Sequence, residues 1–138
     1  MKKLSFSLFL ILLLLQILSC GRKDYSVVTS WFYVNETDSV ITFSKLPNEG
    51  PSINPKDTLF FFNDSEGPKE PDPVRMIAIV ELPAEIVFYG NGFCDTQATS
   101  DFNINNINNY EIKTITKQNF EYTYRFTKEM LEKAKPCD

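Results

Sequence analysis

The chain of 138 residues contains no histidine, and this absence limits the chemistry that its other side chains can perform. Histidine is the usual base that activates a serine or cysteine nucleophile, and it supplies most general bases near neutral pH. Carboxylates remain, but Asp64, Glu66, Glu70 and Asp72 lie in a segment rich in proline and glycine, which is typical of a solvated loop. We therefore expect no catalytic residue and a protein that is not an enzyme.

Metal binding is the next chemistry that the acidic residues suggest. Neither residues 64–67 (DSEG) nor Asp95 with Asp101 reproduces the ladder of oxygen ligands in an EF-hand loop. None of the three cysteines belongs to a CxxC pair, and no histidine is present to complete a zinc site. We expect no metal site and no cofactor.

Two aromatic residues are candidates for ligand binding. Trp31 and Tyr33 lie two positions apart in a β-rich segment, so they share one face of a predicted strand, and Phe32 and Val34 share the other. If the first face is exposed, its rings can stack against sugars. If it is buried, the same rings belong to the core, because aromatic side chains bury large areas. We expect the face of Trp31 and Tyr33 to be the exposed one.

The segment DFNINNINNY at residues 101–110 contains five asparagines. An exposed loop of this composition can recognise a polar ligand, and Asn105 and Asn106 at its centre are the candidate binding residues. The alternative is an irregular loop or a weak edge strand without a ligand, because asparagine tolerates turn conformations.

The N-terminal residues follow the pattern of a secretory signal. Lys2 and Lys3 precede an almost wholly apolar run at residues 4–18, which ends at the small residue Ser19. A helix that spans a bilayer needs about 20 apolar residues, and this run is shorter. A basic start, a short apolar run and an exit of small residues predict a signal peptide; the alternative is an uncleaved anchor helix.

The exit, Ile17-Leu18-Ser19-Cys20, resembles the lipobox of bacterial lipoproteins, although Leu18 is bulkier than the residue usual there. The resemblance implies that the Cys20 thiol receives a diacylglyceryl group, that signal peptidase II removes residues 1–19, and that the new amino terminus is acylated, for example with palmitate. Several acyl chains anchor a protein stably, whereas one chain binds only marginally. The alternative is an ordinary signal peptide in which Cys20 is incidental.

The residues after Cys20 indicate where in the cell envelope such a lipoprotein is located. Gly21 stands where an aspartate would imply retention in the inner membrane, so the resemblance implies lipid anchoring in the outer membrane of a Gram-negative bacterium. Lys23-Asp24 is similar to part of a tag of surface-exported lipoproteins, so we expect the periplasmic face or the cell surface. Residues 20–25 would form the lipidated tether of a single domain at residues 26–138.

Charge and cysteine count restrict the mature chain further. The signal peptide removes two lysines and no acid, so the mature chain is more acidic than the whole sequence with its net charge of −4. We therefore expect no nucleic-acid partner, and a membrane contact made by the lipid alone. With Cys20 lipidated, Cys94 and Cys137 are left as an even pair in an oxidising compartment, and we expect a disulfide. The alternative is two free thiols.

Short β-rich runs alternate with turn-rich gaps along the rest of the chain. Hairpins are predicted from residues 26–34 with 39–44, and from 110–116 with 119–126. Further strands are predicted at 57–63 (a buried one), 74–82 and 85–90, and loops at 45–56, 64–73 and 91–109.

Apolar and polar residues alternate along the run at residues 119–126, so one face of this strand should enter the core. After it, Thr127 can cap a short helix that Pro136 ends. About seven strands without strand–helix alternation predict an all-β fold, an antiparallel β-sandwich of the immunoglobulin or fibronectin III kind. A small closed barrel is the alternative. The core face of the last strand is predicted to consist of Phe120, Tyr122, Tyr124 and Phe126.

These features predict a cell-envelope lipoprotein whose domain is a non-catalytic binding module for a glycan or an envelope protein. The alternative is a structural accessory lipoprotein of a larger envelope assembly, without a small ligand. An exposed aromatic cluster at Trp31 and Tyr33 beside the asparagine-rich loop would favour a glycan. A long unpaired edge strand or one broad apolar patch would favour a protein partner.

Overall fold

The computed structural model describes residues 24–43, 50–67, 69–73, 86–97 and 100–137. The expected signal peptide, Cys20, most of the expected tether and the predicted strand at residues 74–82 lie outside these ranges, so they stay predictions. The described residues form two open β-sheets and one short helix, which confirms the predicted all-β sandwich.

Nine strands are described, and they divide between the two sheets. They are β1 (Tyr25–Asn35), β2 (Ile41–Phe43), β3 (Ser52–Ile53), β4 (Thr58–Gly67), β5 (Ile86–Tyr89), β6 (Phe93–Thr96), β7 (Glu111–Thr116), β8 (Asn119–Phe126) and β9 (Lys135–Pro136). The first sheet has the order β4-β1-β8-β7, and the second has the order β3-β2-β5-β6-β9. A single helix, α1 (Lys128–Lys133), separates β8 from β9.

The core lies between the sheets and is built from the inward faces of alternating strands. The four aromatic residues of β8 that the alternation assigns to the core are all buried, as predicted. Thr127 stands at the N-cap of α1, as expected, but its side chain makes no capping hydrogen bond. The second sheet contributes Ile41, Phe43, Ile53, Val87 and Tyr89 to the same core.

The central strand β1 pairs with β4 on one side and with β8 on the other. Its pairing with β4 is antiparallel, but its pairing with β8 is parallel, with Tyr33 opposite Tyr124. The expectation of a wholly antiparallel sandwich is therefore wrong for this pair. Side chains alternate with the same period of two in parallel and antiparallel strands, so the sequence pattern does not report the direction of a neighbour.

The first predicted hairpin does not form, because β1 and β2 lie in different sheets. The chain crosses between the sheets at a corner that the buried side chain of Asn35 organises. Its Nδ2 donates hydrogen bonds to the carbonyl oxygens of Ser39 (2.8 Å) and Ile53 (3.1 Å), and its Oδ1 accepts one from the Thr37 N–H (2.9 Å). Buried polar groups need such partners, so the corner is a specific structure and not a solvated turn.

Strand β4 differs from its prediction in both length and position. The predicted buried strand at residues 57–63 continues to Gly67, and the whole strand lies at an edge of the first sheet. Its side chains alternate between half-buried and exposed, with Phe60 and Phe62 on the exposed face. The run of three phenylalanines predicts burial on both faces, whereas in the structure only the face of Leu59 and Phe61 packs against the core.

The chain end is held against the second sheet. Strand β9 pairs with β6, which forms inside the predicted loop at residues 91–109, and the Cys137 N–H donates to the Gly92 carbonyl oxygen (2.9 Å). Cys94 and Cys137 lie at disulfide distance, with Cα atoms 5.1 Å apart. The expected cysteine pair therefore joins the tail to β6. The predicted hairpin of β7 and β8 is confirmed.

Candidate functional site

The most exposed apolar side chains described lie on the outer face of β4. Phe60 is 51% exposed and Phe62 is 61% exposed. Phe32 of β1 lies directly opposite Phe60 in the register, and the centroids of their rings are 5.1 Å apart. The three rings form an aromatic patch on the surface of the first sheet, which we call the β4 patch.

The open side of β4 also presents backbone hydrogen-bonding groups. The Asn35 N–H donates to the Asp57 carbonyl oxygen (2.9 Å), and the Asn35 carbonyl oxygen accepts from the Lys56 N–H (3.0 Å), so Asn35 faces β4 and forms a hydrogen-bonded pair with Asp57 across a bulge at Lys56. In an antiparallel ladder such pairs recur at every second residue, so the odd-numbered residues of β4 bond to β1. The even-numbered ones direct their N–H and C=O groups to the other side: Thr58, Phe60, Phe62, Asp64 and Glu66.

That other side has no strand beside it among the residues that the structure describes, since β4 ends the first sheet. The same even-numbered residues carry the exposed side chains of the β4 patch. The even-numbered residues of β4 therefore present both outward backbone donors and acceptors and exposed aromatic rings. An exposed, long and apolar edge of this kind is a template for another strand.

Charged residues lie at both ends of β4. Asp64 and Glu66 lie on the exposed face near the C-terminal end, and Asp64 accepts a hydrogen bond from the Ser26 hydroxyl (3.2 Å). Lys56 precedes the strand, and its Nζ lies 3.0 Å from Asp38 Oδ1. Hydrogen bonds from Lys56 and Lys128 hold the pKa of the exposed Asp38 carboxyl below its usual value. The C-terminal end of β4 is therefore acidic, whereas the charge of Lys56 before its start is paired with Asp38 and followed by the exposed Asp57.

The expected exposed face of Trp31 and Tyr33 is wrong, because both side chains are buried in the core, each 1% exposed. Trp31 stacks on Tyr122 at a centroid distance of 4.1 Å, and its Nε1 donates to Thr29 Oγ1 (3.1 Å). The hydroxyls of Tyr33 and Tyr110 are hydrogen-bonded to each other (3.1 Å). The alternation within β1 is as predicted, but the outer face is the one that carries Phe32.

The buried tyrosines are held neutral. Burial raises the pKa of Tyr33, Tyr110 and Tyr124, and it raises the pKa of Tyr122 to about 12, with a smaller contribution from the charge of Asp72. Neutral hydroxyls donate hydrogen bonds, and that of Tyr110 donates to the Ile104 carbonyl oxygen (2.7 Å). The Tyr124 hydroxyl likewise donates to the Phe102 carbonyl oxygen, so Tyr110 and Tyr124 anchor the loop before β7, whereas the Tyr122 hydroxyl donates to the Pro73 carbonyl oxygen (3.1 Å). None of these hydroxyls ionises near neutral pH.

The asparagine-rich loop is ordered by its own amides. The Asn103 side chain accepts a hydrogen bond from the Asn105 N–H (2.7 Å), and Asn109 Nδ2 donates to the carbonyl oxygens of Asp101 and Asn103 (both 2.9 Å). Asn106 Oδ1 caps a short 3₁₀ turn at residues 107–109.

Asn105 and Asn106 are exposed, as a binding loop requires, but no exposed aromatic platform of Trp31 and Tyr33 accompanies them. The loop leads into β7, which lies at the opposite edge of the first sheet from β4. The condition that would favour a glycan, an exposed aromatic cluster beside this loop, is therefore not met, and the loop and the β4 patch are separate surfaces.

Acidic residues elsewhere serve local structure. Asp95 Oδ2 accepts hydrogen bonds from Gln97 Nε2 (3.1 Å) and from the Ser100 hydroxyl (2.8 Å). Within the described ranges, no group of three or more His, Cys, Asp or Glu residues is placed to hold a metal ion.

The described helices include none that is long and apolar enough to cross a membrane.

Sequence reasoning missed the β4 patch, although a signal for it was present. The alternation of Phe60 and Phe62 continues into Asp64 and Glu66, so all four share one face. A face that carries two adjacent acids is seldom buried, because an unpaired buried charge is costly. Extending the strand by four residues would have assigned these phenylalanines to the solvent side.

The chain matches no protein-family model, no curated protein and no solved structure. Its function therefore has to be inferred from its own residues.

Proposed function

We propose that this chain is a lipid-anchored, non-catalytic module of a bacterial cell envelope that binds a protein partner at the open edge of β4. The partner adds a strand beside β4, and its apolar side chains cover the β4 patch. The observation that carries the proposal is the coincidence, in the even-numbered residues of β4, of outward backbone groups with two exposed phenylalanines.

The energetics of this edge favour an occupant. A phenylalanine side chain buries about 150–250 Å² when fully covered, so covering the exposed half of Phe60 or Phe62 removes about 100 Å² from water. At about 25 cal/mol per Å², each ring contributes about 2–3 kcal/mol before the cost of association. Backbone hydrogen bonds along the strand then fix the orientation of the partner.

A protein partner is favoured over a glycan because the rings expected to stack on sugars are in the core. The exposed rings are phenylalanines on a strand edge, where a β-strand finds both backbone and side-chain partners. The lipobox resemblance of residues 17–20 supports the membrane anchor, and the resemblance alone carries that part of the proposal.

Position-specific photo-crosslinking in intact cells of the bacterium that makes this protein tests the proposal. A benzophenone amino acid at Phe62 is expected to yield a defined protein adduct, while the same group at Ile115, 43% exposed on the opposite edge strand β7, is not. Asp64→Pro removes an outward N–H and is expected to abolish the adduct, because proline is tolerated on an open edge but cannot donate to a new strand.

The matched variant Asp64→Ala keeps that N–H and is expected to retain the adduct. No adduct from position 62, or equal adducts from positions 62 and 115, would refute the proposal.

A further inference from the structure

We infer that the strand that adds to β4 is β4 of a second copy of this chain, paired antiparallel about a two-fold axis that passes beside Phe61. This inference rests on the proposed function and names its partner. It follows from the order of the even-numbered side chains along β4. When a second copy of the strand runs in the opposite direction, each of these side chains faces a compatible one.

Only outward-facing residues can form the hydrogen-bonded pairs of a new ladder, so even-numbered residues must face even-numbered residues. With the axis beside Phe61, Phe60 lies opposite Phe62 of the second copy, and Phe62 lies opposite Phe60. The two β4 patches then form one continuous aromatic surface on one face of an eight-stranded sheet, four strands from each copy. Aromatic cross-strand pairs are among those that stabilise a sheet.

The same register matches the polar residues. Thr58 lies opposite Asp64 of the second copy, so its hydroxyl can donate to the carboxylate. Lys56 precedes β4, and its N–H faces β1, where it donates to the Asn35 carbonyl oxygen (3.0 Å), so the new ladder ends at the pair of Thr58 and Asp64. The antiparallel direction also keeps Asp64 and Glu66 of the two copies apart.

Other arrangements of the two strands lose these matches. Moving the axis to Phe62 places Phe60 opposite Asp64 and Thr58 opposite Glu66. Moving it to Phe60 leaves Phe62 opposite Thr58. A parallel arrangement in equal register sets Asp64 against Asp64 and Glu66 against Glu66, and like charges directly opposite are destabilising. A shared membrane anchor would also confine the copies and raise their effective concentration.

Disulfide trapping tests both the partner and the register. Full-length chains that carry Thr58→Cys and one affinity tag are co-expressed with chains that carry Asp64→Cys and a different tag. Membranes of these cells are then treated with a mild oxidant. Facing residues of a hydrogen-bonded pair have Cα atoms about 5.5 Å apart, which a disulfide can span. Two copies of residue 58, or two of residue 64, lie about 20 Å apart, because six residues separate them along the strand.

A mixed dimer is expected, in roughly tenfold excess over either same-residue dimer, because thiols whose Cα atoms are more than about 7 Å apart cannot bridge without backbone movement. The pair Thr58→Cys with Glu66→Cys, shifted by one hydrogen-bonded pair, is the register control and is expected to give little product. The chain without added cysteines controls for Cys94 and Cys137. Phe62→Asp added to both copies is expected to remove the mixed dimer, and Ile115→Asp to leave it.

Equal yields from all pairs, or no mixed dimer, would overturn the inference. If no mixed dimer forms while the benzophenone at position 62 captures a different protein, the second copy is excluded and strand addition at β4 stands. If neither experiment yields a product, both proposals fail.

Discussion

Replacing Trp31 by alanine separates a core role of this residue from a sugar-binding role. The side chain is 1% exposed, stacks on Tyr122 at 4.1 Å and meets Tyr110 edge-on at 5.4 Å. Replacing a buried tryptophan by alanine costs about 3–5 kcal/mol of unfolding free energy, because a cavity remains between the sheets. For a domain of this size we expect the melting temperature to fall by about 10–20 °C.

The matched control is Phe62→Ala, which removes an aromatic ring from the exposed face of the same sheet. Its ring is 61% exposed, so we expect a change within about 0.5 kcal/mol when the protein is monomeric. Trp31→Phe retains most of the packing and loses the hydrogen bond to Thr29 Oγ1, so it should cost about 1–2 kcal/mol.

Urea unfolding measures these differences. Far-UV circular dichroism is the appropriate signal, because Trp31 is the single tryptophan and its fluorescence is lost in the two Trp31 variants. The three variants and the parent are compared at one low protein concentration, so that association does not contribute. Unfolding free energies of Trp31→Ala and Phe62→Ala that agree within about 0.5 kcal/mol would refute the assignment of Trp31 to the core.

Three further predictions concern the cysteines and the tyrosines. Cys94→Ser should lower the unfolding free energy by on the order of 4 kcal/mol, and two reactive thiols in the unreduced parent would contradict a disulfide with Cys137. Cys20→Ser should abolish palmitate labelling and leave unprocessed precursor in cells, and labelling that persists would exclude Cys20 as the lipid site. Stability should fall as the pH rises from about 10 to 12, because the pKa of Tyr122 is raised to about 12 in the folded chain and lies near 10 in the unfolded one. The urea midpoint at successive pH values measures this loss, and a constant midpoint would contradict it.

The bounds and the core face of β8 are predictable because its alternation has one interpretation, although the parallel direction of its pairing with β1 is not. Aromatic residues at every second position from Phe120 to Phe126, with Glu121 and Arg125 between them, leave only one face that can be buried. In β1 both faces carry apolar residues, so alternation divides them into two sets without saying which set is inside. The prediction for Trp31 is wrong for that reason.

The position of a strand within a sheet is a property of the whole fold. The run at residues 57–63 is compatible with a central strand, and β4 is an edge because no strand among the described residues pairs with its side away from β1. The corner at Asn35 is equally non-local, since its amide bonds to the Ile53 carbonyl, 18 residues away. No local pattern reports a partner at such a distance, and a turn that joins two sheets resembles a turn that joins two paired strands.

The fold class, the last hairpin and the pairing of the cysteines at disulfide distance follow from the amino-acid sequence, because alternation, turn residues and cysteine count are local or compositional signals. The absence of histidine likewise restricts the chemistry through composition alone. The burial of Trp31 and Tyr33 and the exposure of Phe60 and Phe62 follow from the three-dimensional packing instead. Those two outcomes depend on which face of the first sheet packs against the second sheet, and that choice is set by the packing of the whole domain.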